Sequence, residues 1–203
     1  MPPYCTACGA FAPDSALFCA GCGRSLAASP SGVDPSSERL VGEIPSAMNT
    51  LHGQGPVRID FTDRRLLALR LGEWSAWPSP RLYRAWKSDT SSWQPWRLVD
   101  VRSYAPDRPI LWAAENRAIL SINATRPIGI GVDRRACELW ATVSADGVTA
   151  SPGGPGAPPL GIDEQGYVRL AWHVHGEPEE LLHFLQQTPL GPVASGRHWV
   201  RER

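Results

Sequence analysis

Long apolar runs are missing from this sequence. Although 42% of its 203 residues are hydrophobic, no stretch approaches the roughly 20 consecutive apolar residues that a membrane-spanning helix needs. The first residues also lack a basic segment leading into an apolar one, the mark of a secretory signal. The expected compartment is therefore the cytoplasm, with at most a peripheral contact to a membrane. An excess of charge is missing too: twenty basic and twenty acidic residues give a formal net charge of zero. A neutral chain lacks the basic surface that displaces counterions from nucleic acid, which counts against a nucleic-acid partner. Lysine is nearly absent, Lys87 being the single one.

The motifs that usually announce an enzyme are likewise absent. There is no Gly-x-Ser-x-Gly nucleophile turn, no Gly-x-x-x-x-Gly-Lys phosphate loop and no His-Glu-x-x-His zinc helix. The glycines of "GIGVDRR" do not have the spacing of a dinucleotide loop. The expectation is a non-enzymatic protein with no catalytic residue assigned, in which binding outranks catalysis.

What is present begins at Tyr4. The stretch "YCTACGAFAPDSALFCAGCG" holds two Cys-x-x-Cys pairs, Cys5 with Cys8 and Cys19 with Cys22, each followed by glycine. Such a pair puts two sulfurs on one side of a tight knuckle. Gly9 and Gly23 stand where the chain commonly turns through positive φ. Two knuckles at the base of a short hairpin bring four thiolates into a tetrahedron, the arrangement Zn²⁺ prefers because its filled d-shell imposes no other geometry. A redox pair expects one Cys-x-x-Cys in a βαβ setting, and a disulfide framework expects export; zinc is the reading the spacing favours over both. Four cysteine ligands close the coordination sphere, so this single ion is structural rather than catalytic. Four thiolates and one Zn²⁺ sum to about −2, which makes the module a poor phosphate binder.

The segment from Tyr4 to Leu26 resembles the short zinc-ribbon family, with an aromatic before each Cys pair (Tyr4, Phe18) and the closing "CGRSL". The resemblance implies a ribbon over residues 1–26. Residues 27–38, beginning "AASPSGVDPSSE", are small and polar with two prolines and read as a flexible linker.

Beyond the linker the pattern becomes that of short strands. "PVRIDFT" sets Val57, Ile59 and Phe61 against Arg58 and Asp60 with period two. "DRRLLALRL" follows with Leu67, Leu69 and Leu71 on one face, after a turn at Thr62-Asp63. "RLVDVRSY", "AILSINA", "PIGIGVD", "CELWATVSA" and "GYVRLAWHV" are further strands, while "PDRPILWAAEN" reads as a short helix. "GEPEELLHFLQQT" is a helix: Pro178 suits its first turn, Glu179 and Glu180 complement the positive end of its dipole, and Leu181, Leu182 and Leu185 form an apolar stripe.

The expected fold class is mainly β: a curved antiparallel barrel or sandwich capped by a C-terminal helix, tethered to the ribbon. The opening "RIDFTDRRLLAL", the lead-in "VGEIPSAMNT" and the closing "EELLHFLQQTPLG" resemble the bacterial pleckstrin-homology (PH) and GRAM-like domains. The resemblance covers residues 39–193, interrupted by a Trp-rich insertion at 72–97 and a Pro/Gly loop at 151–161. Residues 194–203 are read as a tail.

Five of the nine tryptophans lie in the insertion: Trp74, Trp77, Trp86, Trp93 and Trp96, with Arg81 and Arg84 between them. Trp and Arg are the residues enriched at binding hot spots, so these seven are the candidate partner-binding residues. The competing reading, and the favoured one, is that the rings fold over the sheet and cover its side. Arg58, Arg64 and Arg65, beside the first hairpin, are the candidate lipid contacts that the PH resemblance implies. His173 and His175 share one face of a strand and are read as solvated, and Cys137 as a buried small hydrophobe. Three roles follow: an adaptor that binds protein partners through both parts, a nucleic-acid-associated regulator using the ribbon, and a peripheral lipid binder.

Overall fold

The computed structural model describes residues 38–51, 53–75, 78–88, 96–126, 136–150 and 161–196. The expectations for the ribbon, its Cys5, Cys8, Cys19 and Cys22, nearly all of the linker, the strand in "PIGIGVD", and most of the Pro/Gly loop lie outside the described residues.

The described chain is mainly β. A first group of strands comprises β1 (Leu40–Asn49), β2 (Gly55–Thr62), β3 (Arg65–Arg70), β4 (Arg97–Val101) and β5 (Ile110–Glu115), with helix α1 (Pro80–Ser88) between β3 and β4. The second group is β6 (Ile119–Thr125), β7 (Ala136–Ser144), β8 (Val148–Ala150) and β9 (Tyr167–His175), followed by helix α2 (Pro178–Gln186) and β10 (Ala194–Ser195). All belong to one sheet in the order β10-β6-β7-β9-β1-β2-β3-β5-β8, with β4 attached to β1. Every pairing is antiparallel except that of β10 with β6. Ala194 and Ser195, read from sequence as tail, are therefore part of the sheet. Among the described residues no helix is long and apolar enough to cross a membrane.

The first hairpin forms where the sequence places it. Thr62 ends β2, and its hydroxyl accepts hydrogen bonds from the backbone N–H of Arg64 (3.2 Å) and Arg65 (2.7 Å), closing the turn locally. Period two then sends Val57, Ile59 and Phe61 to one side, where they join Ile44, Leu66, Ala68, Trp112 and Ala114. The same core takes Ile122, Leu139, Val143, Leu170, Trp172 and Val174 from the second group of strands. Trp112 and Trp172 meet across it with ring centroids 5.1 Å apart. The two halves of the sheet thus face each other around a shared core, and α2 packs onto it with Leu181, Phe184 and Leu185. Phe184 stands edge-on to Phe61 at 5.3 Å. It lies so close to β1 that a Cβ at Gly42 would come within 3.0 Å of its ring.

Leu67 and Leu69 point the other way and are fully buried as well, in a second cluster with Leu40, Tyr104 and Ala113. The segment carrying Tyr104 folds across this outer face, so β3 has no solvated side. The stretch read as a short helix, "PDRPILWAAEN", is instead strand β5, paired with β3 from Leu69↔Ile110 to Arg65↔Glu115. The reason is burial on both faces: Trp112 and Ala114 enter the main core and Ala113 the outer cluster. A continuous apolar run of that length carries no period to separate strand from helix.

One irregularity organises the rest. The register of β1 against β2 shifts between Ile44 and Ala47, at Pro45-Ser46. Proline has no N–H to give to a ladder and is tolerated at such a bulge. On its other edge β1 pairs with β4 before the bulge (Leu40↔Val101, Gly42↔Leu98, Glu43↔Arg97) and with β9 after it (Ala47↔Val174, Met48↔His173, Asn49↔Trp172).

Candidate functional site

The insertion at 72–97 divides by what its rings touch. From α1, Leu82 and Trp86 are buried. Trp86 stacks on His175 with ring centroids 4.1 Å apart and planes 20° from parallel, and its indole N–H donates to the Ser46 hydroxyl at 3.1 Å, at the bulge of β1. Tyr83, one turn earlier, brings its hydroxyl to 3.0 Å from His173 Nδ1. On the opposite side of that ring, His173 Nε2 lies 3.0 Å from Glu138 Oε1, and Glu138 Oε2 accepts from the Trp140 indole at 2.9 Å. The His face of β9 is therefore covered, not solvated: His175 is 6% exposed. The sequence placed both histidines on one face, but the helix that shields them comes from ninety positions earlier in the chain.

Trp74 covers the entry to β2, where a Cβ on Gly53 (φ +101°) or Gly55 would fall within 2.8 Å of its ring atoms. Trp96 seats its ring against Gly176, whose φ of +135° and 2.4 Å approach both require glycine. Trp74, Trp86 and Trp96 thus pack against the sheet, as the covering role expects. Arg81 and Arg84 remain exposed on α1, with Arg81 4.0 Å from Glu73. Trp77 and Trp93 lie outside the described residues.

The cations of the first hairpin are held by carboxylates. Arg58 reaches both oxygens of Asp60, at 2.9 and 3.0 Å, and Asp107 at 2.6 Å. Asp60 is fully buried on the outer face of β2 and also accepts from the Tyr104 hydroxyl. Burial raises the Asp60 pKa above the ordinary carboxylate range, with Tyr104 and Arg58 opposing the rise. Burial raises the Tyr104 phenol as well, with the Asp60 hydrogen bond acting in the same direction. Arg65 grips the buried Glu38, which also accepts from Thr62 at 2.6 Å. Of the three arginines considered for lipid contact, two are thus committed to internal carboxylates, and Arg64 is half-buried at the turn. Cys137 is fully buried, and desolvation pushes its thiol up to about 12.

Sequence reasoning missed the groove between β4 and α2. It measures about 540 Å³ and is lined by Trp96, Arg97 and Leu98 on one wall and Glu179, Glu180, His183, Phe184 and Gln187 on the other. Arg97 is paired with Glu43, which its Nε meets at 2.6 Å. Leu98 is 47% exposed and Val101, further along β4, 45%. The signal was faint. "RLVDV" reads as an ordinary strand, and the pairing of β4 to only part of β1 is a matter of topology.

Among the described residues no group of three or more His, Cys, Asp or Glu side chains is gathered to hold a metal ion; the four ribbon cysteines lie outside them. No protein-family model matches the chain, and it shows no significant similarity to a curated protein or to a solved structure.

Proposed function

We propose that this protein is a non-enzymatic adaptor, made of a ribbon held by one structural zinc ion on Cys5, Cys8, Cys19 and Cys22 and a PH-like β domain, each contacting protein partners. The observation that carries the reading is the groove between β4 and α2, an open and largely apolar concavity on a domain whose charged groups are mostly spent on one another. Arg58 with Asp60, Arg65 with Glu38, Arg97 with Glu43 and His173 with Glu138 are internal pairs. The PH-like assignment is supported by the antiparallel run from β1 to β3 and on to β5, by the β6, β7 and β9 group opposite, and by a C-terminal helix on the shared core. A peripheral lipid role draws less support, because Arg58 and Arg65 already have carboxylate partners. For the ribbon, docking on protein agrees with its anionic charge better than binding to phosphate does.

The test uses the full-length chain, purified under reducing conditions and analysed for metal. One zinc per chain is expected, lost in the Cys5→Ser/Cys8→Ser variant. Cross-linking in lysate followed by mass spectrometry then compares the wild type with that variant and with Leu98→Asp. A partner set that responds to neither change would overturn the adaptor reading.

A further inference from the structure

We propose that the edge of β4 opposite β1 takes up an extended segment of a protein partner as an added strand. An apolar side chain of that segment enters the groove against Leu98 and Phe184, and basic side chains meet Glu179 and Glu180. This rests on the adaptor reading and names the site and chemistry of one partner.

Three observations converge. First, among the described residues β4 pairs with β1 alone and its opposite edge has no strand partner, and such an edge is the template that strand addition uses. Natural edges are commonly blunted by charge. Here both charges of the strand have partners, Arg97 with Glu43 and Asp100 with Arg39, and Leu98 and Val101 are about half-exposed between and beside them. Second, the start of β4 lies beside α2, and the groove between Arg97-Leu98 and α2, with Trp96 and Phe184 in its walls, offers a pocket for a side chain of an added strand.

Third, the charge on the rim selects the occupant. Arg97 is neutralised by Glu43, whereas Glu179 meets Arg126 only at 3.8 Å, and Glu180 has no ion-pair partner among the described residues. The α2 wall of the groove, with Glu179 and Glu180, is acidic, so the complementary segment is basic and apolar. A second copy of this chain would bring its own Glu179 and Glu180 to the same acidic wall. The ribbon carries negative charge and is disfavoured for the same reason.

The probe is a displayed library of random peptides about twelve residues long, selected on the full-length protein. Enriched peptides are expected to alternate aliphatic or aromatic residues with Arg or Lys. A synthetic peptide from the selection should lose affinity about tenfold or more on Leu98→Asp, and similarly on Glu179→Lys/Glu180→Lys. All three positions are exposed, so far-UV circular dichroism should stay unchanged. N-methylation along the peptide should weaken binding at every second residue, because alternate N–H groups of an added strand face the edge. The proposal falls if enriched peptides are acidic, if N-methylation shows no period of two, or if nothing is enriched. It also falls if the chain dimerises through this edge, with dimerisation abolished by Leu98→Asp. Peptides insensitive to these variants but lost on Arg81→Glu/Arg84→Glu would overturn this site while leaving the adaptor reading standing.

Discussion

Trp86 lies flat on His175, 4.1 Å between ring centroids, and joins two parts of the chain that the sequence presents as unrelated. The Trp-rich insertion and the two histidines of β9 are one packed layer, with α1 as the cover of the outer face near the bulge of β1. Removing that ring takes away a nearly buried aromatic side chain and the hydrogen bond to Ser46.

Trp86→Ala is therefore expected to cost about 3 kcal/mol of stability, near the lower end for a large aromatic truncated in a core. It should also open His173 to acylation by diethyl pyrocarbonate, which the wild type should resist while Tyr83 and Glu138 engage both ring nitrogens. Equal modification rates in wild type and variant, measured by mass spectrometry, would mean that α1 does not cover the pair in solution.

The buried carboxylate beneath Tyr104 predicts a pH dependence of definite sign. The Asp60 pKa is raised in the folded state, so the folded chain keeps that proton to a higher pH than the unfolded chain does. The stability Asp60 contributes is present below its unfolded value of about 3.9 and is lost as pH rises through the folded value. Asp107, lowered by the Arg58 hydrogen bond, works in the opposite direction, but it is 62% exposed and its effect is screened. Arg58→Met removes the cation that opposes the rise. Urea unfolding across the acid-to-neutral range should show a steeper fall, displaced to higher pH, and a loss of about 3 kcal/mol at neutral pH. The double variant Arg58→Met/Asp60→Asn should recover much of that loss, since no buried charge is left alone. A single variant whose pH profile overlays the wild type would refute the assignment.

The thiols offer a count. Cys137 is fully buried with its pKa pushed up to about 12, so it should resist alkylation at neutral pH in the folded protein. With zinc on the ribbon, the native chain should show almost no reactive thiol. A chelator should release four, and the fifth should appear only in denaturant. Rapid reaction of all five before chelation would argue against both a metal-held ribbon and a buried Cys137.

Much of this architecture is written locally. The period of "PVRIDFT", the threonine that closes the first turn, and the Pro-Glu-Glu opening of α2 are decided by neighbours within a few residues, so the sequence alone determined β2, β3 and the closing helix. β5 escaped it, because an apolar run buried on both faces has no alternation to read. The covered histidines escaped too, since their exposure depends on a helix that packs from far away in the chain.

The sequence likewise sets the fourfold cysteine pattern, which lies outside the described residues and rests on spacing alone. Only the tertiary structure decided that Arg58 and Arg65 face carboxylates rather than solvent, and that β4 reaches β1 just before its bulge and begins beside α2. Patterns of hydrophobicity record which side chains avoid water. They do not record which distant strand supplies the other side of a pair, or which helix comes to lie beside it.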